Sequence, residues 1–375
     1  PDFRVWLVWI ALSISTLAWL EPKPFGISAL IPCCIIAAYV FFGIALFVSK
    51  SILLPITLPV LGFFLLNVGV IGRRVMIEQQ DKRRMRVAFT AYLAPNVLER
   101  IIENRQSMKL GGERKNVAVL FSDIRGFTSL SETEGEEALV TQLNEYLTVM
   151  VDCVNRYGGT LHKFIGDAIM AVWGDTLSEG PQKDCTQALN AALAMRMELL
   201  ALNARWALEK RPLLKIGIGI NRGDVIVGNI GAPQRMEFTV IGDTVNTASR
   251  LEGVTKQYKL DAVVSDSFAE CVKNEFALQT LGLVRPPGKA HGVKVYHPMA
   301  PFNVFSEEDK TWLEAYEKAM VLFFAKKFEE ALPIFKKCHL EKPENWPAEL
   351  HANLSQHHIE NPPDEHWTGL RDVEK

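Results

Sequence analysis

Three stretches near the start of the chain carry no charge at all: residues 5–20, 27–48 and 52–72. A helix that crosses the hydrocarbon core of a bilayer needs about 20 apolar residues. The second and third stretches reach that length and the first is short, so the pattern predicts three transmembrane α-helices within a region 1–72. Pro32, Pro55 and Pro59 are compatible with membrane helices, where neighbours re-satisfy freed carbonyls. The alternative is a very apolar soluble core. It is disfavoured because a soluble fold rarely carries three such runs separated only by "EPKPFG" and "SKS". The run "RRVMIEQQDKRRMR" (73–86) follows directly, and basic residues beside a span mark the cytoplasmic side. Three spans then place the N-terminal side outside. With Pro1 in first place, this predicts an extracytoplasmic domain upstream, of which the chain is a continuation.

Beyond residue 72 the apolar positions become periodic. Residues 73–114 read as a helical coupling linker, with Val87, Tyr92, Leu93, Val97, Leu98 and Ile101 apolar and a break at Pro95. The heptads are too few to separate a dimeric coupling helix from a solvated juxtamembrane one. From 115 to 299, strand and helix patterns alternate. "NVAVLFS" (116–122) predicts a strand. Residues 136–159 place Leu139, Leu143, Tyr146, Leu147, Met150 and Val154 on one helical face, and Gly158–Gly159 stop it. "TLHKFI" and "AIMAVW" around "GD" predict a hairpin. A long helix near 182–208 follows, and then a second hairpin about Asn221–Asp224 within 214–231. A helix over 242–258 and strands near 276–284 and 293–297 complete the unit. The order predicts an α+β domain, a ferredoxin-like, mostly antiparallel sheet with helices packed on it. Residues 300–375 predict a helical hairpin, with Trp312, Tyr316, Ala319 and Met320 facing Phe328, Ala331, Leu332 and Phe335, followed by a polar tail with His357, His358 and His366. The hairpin resembles one tetratricopeptide repeat. A single repeat cannot build a binding solenoid, so a cap on the preceding domain or its dimer is expected.

Composition changes this picture little. The 375 residues carry a formal net charge of −2, which gives no reason to expect nucleic acid as a partner. The six cysteines form no CxxC pair and no zinc-like cluster, and those of the charged half suit a reduced cytosolic setting.

The candidate chemistry lies in two aspartates. Asp123 ends the first predicted strand of the α+β unit, and Asp167 stands at the tip of its first hairpin. Singly, each has an ordinary explanation, an N-cap and a turn residue. Together, at adjacent sheet ends, two hard carboxylates suit Mg²⁺ or Mn²⁺, which keep water and phosphate oxygens in their shells. Between them, "IRGFTS" offers successive backbone N–H groups at a helix start, a cradle for phosphate.

The segments "VAVLFSDIRGFTSLSE", "GGTLHKFIGDAIMAVWG" and "MEFTVIGDTVNTASRLE" together resemble the catalytic domain of class III nucleotidyl cyclases. The membrane region and linker resemble bacterial adenylate cyclases with a CHASE2 sensor. The resemblance implies two metal ions per active site, held by Asp123, Ile124 and Asp167. It implies a triphosphate turn over Ile124, Arg125, Gly126, Phe127 and Thr128, base recognition by Lys163 and Thr239, and transition-state roles for Asn246 and Arg250. It also implies a homodimer, with the metal aspartates of each site from one chain and Lys163, Thr239, Asn246 and Arg250 from the other.

Residue chemistry then favours ATP over GTP. Lys163 donates, as adenine N1 requires, and the Thr239 oxygen accepts, as the N6 amine requires; guanine reverses both demands. The alternatives are a strand-surface lysine and a β-branched filler. In one respect the chain departs from the family. Its "RPPGKAHGVKVY" has Pro287 where a phosphate-contacting lysine is expected, leaving Lys289 or Arg285 as substitutes. A membrane-bound adenylate cyclase is therefore expected. The alternative is a degenerate cyclase-like module that dimerises or binds nucleotide without catalysis, and retention of both aspartates and Arg250 argues against it.

Overall fold

The computed structural model describes residues 25–53, 55–90, 110–133, 135–288 and 291–373. The chain divides into two units at residue 92. The first contains helix α1 (Phe25–Lys50) and helix α2 (Thr57–Thr90). Pro59 falls in the first turn of α2, where its missing N–H costs no helical bond. The predicted span 5–20 lies outside the described residues, as does the linker over 91–109. α2 runs unbroken across residues 72–73, from its apolar half through the basic cluster to Thr90. Among the described residues, Val60–Gln80 is one helical stretch long and apolar enough to cross a bilayer, and Cys34–Lys50 is a shorter apolar helix. Phe41, Val48, Leu53 and Leu58 are largely exposed in this unit.

The second unit is built on one mixed sheet. Its central strand is β1 (Gly111–Ile124), flanked by β3 (Ala168–Trp173) and β4 (Ile216–Ala232), both antiparallel to it. Strand β2 (Thr160–Ile165) pairs outside β3. On the other side follow β6 (Ala262–Ser265), β8 (Val293–Pro301), β7 (Phe276–Arg285) and β9 (Leu370–Asp372), and β5 (Arg235–Ile241) pairs with the distal half of β4. The pleat explains the apolar run in β1. Ala118 and Leu120 point into a core with α4 (Glu136–Arg156) and α5 (Pro181–Leu208), while Val117, Val119 and Phe121 point into a second core on the other face. A strand buried on both faces reads as a continuous apolar stretch. Burial of Leu139, Tyr146, Met150 and Val154 shows that α4 uses the face its periodicity predicts.

The predicted hairpin about Asn221–Asp224 is corrected. Residues 216–232 form one continuous strand, registered against β1 from Ile124↔Ile216 to Gly111↔Asn229. The turn comes later, between Ala232 and Arg235. The polar residues that suggest a turn are spent on neighbours instead. Asn221 donates to the Thr244 carbonyl at 2.9 Å, and Asp224 accepts from Asn116 at 2.8 Å.

Helix α6 (Asp243–Gln257), followed beyond β6 by a short helix α7 (Asp266–Val272), packs directly on β4, and two glycines make this possible. A Cβ on Gly219 would run into the Glu252 amide and the Ala248 carbonyl, and one on Gly217 would lie 2.6 Å from Thr255 Oγ1. The obstacle at Gly219 is helix backbone and cannot swing aside. Gly219→Ala is therefore expected to destabilise the fold by about 2–3 kcal/mol, the upper part of the range of core overpacking, read as a lower denaturant midpoint with an unchanged slope.

The C-terminal segment differs from expectation. It holds three helices, α8 (Glu307–Phe324), α9 (Phe328–Glu341) and α10 (Trp346–Glu360), and then β9. They lie against β7: the Thr280 amide donates to Glu317 Oε1 at 2.7 Å, and the Tyr316 hydroxyl donates to the Thr280 carbonyl at 3.1 Å. His357 and His358 of the predicted polar tail fall on α10, and His366 lies beyond it. His358 lies 4.9 Å from the Phe328 ring and 5.2 Å from Trp367, part of an aromatic cluster. Pro347 at the N-terminus of α10 obscures the helix in sequence, although Pro is favoured in a first turn.

Candidate active site

Antiparallel pairing of β1 and β3, with Ser122 opposite Ile169, carries the end of β1 to the β2–β3 turn. Gly166 has φ 66°, a left-handed conformation that glycine adopts freely, and it turns the chain so that Asp167 follows. The Ile124 amide donates to Asp167 Oδ2 at 3.2 Å. Asp123 and Asp167 are thus brought together. Burial first, and the Asp167 carboxylate second, push the Asp123 carboxyl up to about 6. A carboxyl whose ionisation is opposed by a neighbouring carboxylate gains from a cation placed beside it. Among the described residues no cluster of three or more His, Cys, Asp or Glu is arranged to hold a metal. A cation here would rest on two carboxylates and draw other oxygens from backbone, water or ligand, as Mg²⁺ commonly does.

The turn after Asp123 is placed as expected, but its side chains divide. Gly126 has φ 68°, and a short helix α3 (Phe127–Thr133) follows. Ile124 is buried, so only its backbone can reach a ligand. Phe127 packs toward the core of α4 and α5. The Arg125 side chain turns away from the cradle and bonds to the Ile216 carbonyl and Thr255 Oγ1. For Arg125, the phosphate reading therefore survives only for the amide, and that amide already donates to the Lys215 carbonyl at 2.8 Å.

Lys163 and Thr239 form a second group. The β4–β5 arm folds back across β1 and β3, burying Val225, Val227 and Val240 with Val119 and Met170. His162 stacks on Phe238 with ring centroids 5.8 Å apart, and its Nε2 meets Asp175 Oδ2 at 2.8 Å. The neighbours of that stack are Lys163 on β2 and Thr239 on β5, so the stack holds the two strands together. Lys163 Nζ is paired with Glu237 Oε1 at 2.9 Å, and Thr239 is buried. Glu237 was missed in the sequence. It lies two residues from Thr239 and so on the same face of a strand, which is the signal that would have found it.

Asn246 and Arg250 lie one turn apart on α6, Asn246 exposed and Arg250 half-buried. Among the described residues neither side chain makes a hydrogen bond or an ion pair. A Cβ on Gly288 would lie 3.2 Å from Arg250 Nη2, so the turn after β7 rests on this guanidinium. Arg285 is committed elsewhere, to Asp372 at 3.3 Å. Lys289 lies outside the described residues. Among the described residues, no hydrogen bond or ion pair joins Lys163, Thr239, Asn246 or Arg250 to either aspartate.

Glu252 is a further residue that sequence reasoning missed. It is buried on the inner face of α6, its Oε1 has no hydrogen-bond partner among the described residues, and burial, then the Asp123 charge, raise its carboxyl to about 7.

The chain is similar to several known proteins. An adenylate cyclase of Anabaena cylindrica is 35% identical over 219 residues, 56% of this chain and 41% of the relative. The structure of a bacterial light-regulated adenylyl cyclase is similar over 60% of this chain and 64% of that one, at 26% identity and TM-score 0.52. The guanylyl cyclase Cya2 is similar over 52% of this chain and 98% of that one, at 31% identity and TM-score 0.48. The chain spans less than half the length of the first curated relatives it matches. The profile of the adenylate and guanylate cyclase catalytic domain matches residues 112–299, half of the chain, and on that ground the chain belongs to the class III adenylate and guanylate cyclase family.

Proposed function

We propose that this chain is the membrane-anchored catalytic part of an adenylate cyclase, converting ATP to 3′,5′-cyclic AMP and pyrophosphate at sites shared across a homodimer. The observation that carries the reading is the Asp123–Asp167 pair beside a turn of backbone amides. Asp123, Asp167 and the Ile124 carbonyl would hold Mg²⁺ or Mn²⁺. Bound there, the ions supply charge neutralisation and lower the pKa of the ribose 3′-hydroxyl. The protein's part is placement and electrostatics, as in phosphoryl chemistry generally. Amides of the Gly126 turn bind phosphate oxygens. Asn246 orients the ribose, and Arg250 balances the charge that gathers on phosphorus as the 3′-oxygen attacks and pyrophosphate leaves. That the side chains of Asn246 and Arg250 make no hydrogen bond or ion pair among the described residues supports sites completed by a second chain.

Adenine is the preferred base in this reading because Lys163 donates and Thr239 accepts. The Lys163–Glu237 ion pair holds the lysine at the base position until nucleotide arrives. The family holds both adenylate and guanylate cyclases, so the choice rests on these two residues. Purified protein with Mn²⁺ is expected to cyclise ATP at least tenfold faster than GTP, a difference of about 1.4 kcal/mol. Lys163→Glu should remove most of that preference; faster turnover of GTP by the unaltered protein would overturn it.

Membrane attachment is supported by the apolar stretch Val60–Gln80 and the exposed apolar side chains of α1 and α2. The basic run after Gly72 then faces the cytoplasm with the cyclase domain.

A further inference from the structure

Arg125 follows the metal-site strand end yet contributes nothing to its ligand face. Its Nε donates to the Ile216 carbonyl at 3.4 Å, where β4 begins. Its Nη2 donates to Thr255 Oγ1 at 3.0 Å, in the last turn of α6, and to the carbonyl of Leu260 just beyond it. Thr255 is fully buried and passes the contact on to the Glu252 carbonyl within α6. One guanidinium thus fastens the end of β1 to the C-terminal end of the helix that bears Asn246 and Arg250. The glycine seam at Gly217 and Gly219 presses the same helix onto β4, so a shift of α6 along the sheet would break these bonds. On another side Arg125 lines a cavity of about 960 Å³ next to Leu193, Lys215 and Leu260, so these bonds rather than close packing fix the guanidinium.

We propose that Arg125 is a positioning residue that couples the two half-sites carried by one protomer, the metal carboxylates of one active site and the Asn246–Arg250 helix of the other. This rests on the shared-site reading above. In a shared site, the aspartates and the helix of a single chain serve different reactions. A fixed strut between them makes each reaction depend on Arg125 of both chains. Fork geometry suits the task, since one planar group reaches three acceptors on different elements, which an ammonium does less well.

The test isolates one site. Differently tagged full-length chains carrying Asp123→Ala and Arg250→Ala are co-expressed, and the heterodimers are purified and assayed with ATP and Mn²⁺. One intact site is expected in each, built from the aspartates of the Arg250→Ala chain and the helix of the Asp123→Ala chain. Arg125→Gln is then added to one chain or to the other. In either chain it is expected to lower kcat about tenfold, within the cost of small misplacements, with KM for ATP changed less than about twofold. Arg125→Lys should give an intermediate rate and serves as the readout if the Gln variant folds poorly. Loss confined to one placement, or to neither, overturns the coupling while leaving the shared site standing. Failure of the first pair to recover activity overturns the shared site, and the coupling with it.

Discussion

Asp123→Asn is expected to cut cyclisation steeply and at the same time to make the metal-free protein harder to unfold. The carboxyl loses its proton near 3.8 when unconstrained and near 6 in the fold. Between those values the folded state holds the proton and the unfolded state does not, so stability falls as pH rises and the full penalty is present above about pH 6. Asparagine carries no such penalty. Asp123 is half-buried, so screening by solvent trims the gain to about 1 kcal/mol at pH 8. The gain should vanish below pH 4, where both forms are neutral. Adding Mg²⁺ reverses the order, because a cation that binds only the native carboxylate pair stabilises the unaltered protein by mass action. Activity should fall by roughly 10³-fold, about 4 kcal/mol of transition-state stabilisation. Thermal unfolding with and without Mg²⁺, together with cyclic AMP formation, reads all three effects. A variant that keeps its activity, or whose melting still responds to Mg²⁺, would remove Asp123 from the metal site.

Arg250→Ala is expected to lower kcat by about 10²–10³-fold while KM for ATP and the unfolding midpoint stay near their original values. The side chain makes no hydrogen bond or ion pair among the described residues, so its removal leaves no folded partner unsatisfied. Lysine should not restore the rate, since a point charge does not reproduce a planar fork. A drop in stability comparable to the drop in rate would mean that Arg250 props the turn at Gly288 instead of serving the reaction.

Much of the second unit was readable because its elements obey one rule each. The α4 face and the GD hairpin follow from periodicity and turn chemistry alone. The failures share a cause, long-range pairing that overrides local signals. "NRGD" looks like a turn, yet Asn116 and Thr244 satisfy its polar groups and the strand runs on. The closeness of Asp123 and Asp167 was readable, because each stands at the end of a recognisable strand. The site was unreadable where role depends on direction. Nothing local shows that the Arg125 side chain points away from the turn it belongs to, or that Glu237 reaches Lys163 across a folded arm.

Strand β9 has a consequence beyond closing the sheet. It runs parallel to β7, with Asp372 on Arg285, the Val373 amide bonded to the Arg285 carbonyl, and Leu370 pressed where a Cβ on Gly292 would fall. Those contacts clamp both legs of the loop whose Gly288 lies over Arg250. A three-residue clasp far along the chain thereby anchors the neighbourhood of Arg250, and a tag or cleavage there is expected to loosen that neighbourhood before anything else in the sheet.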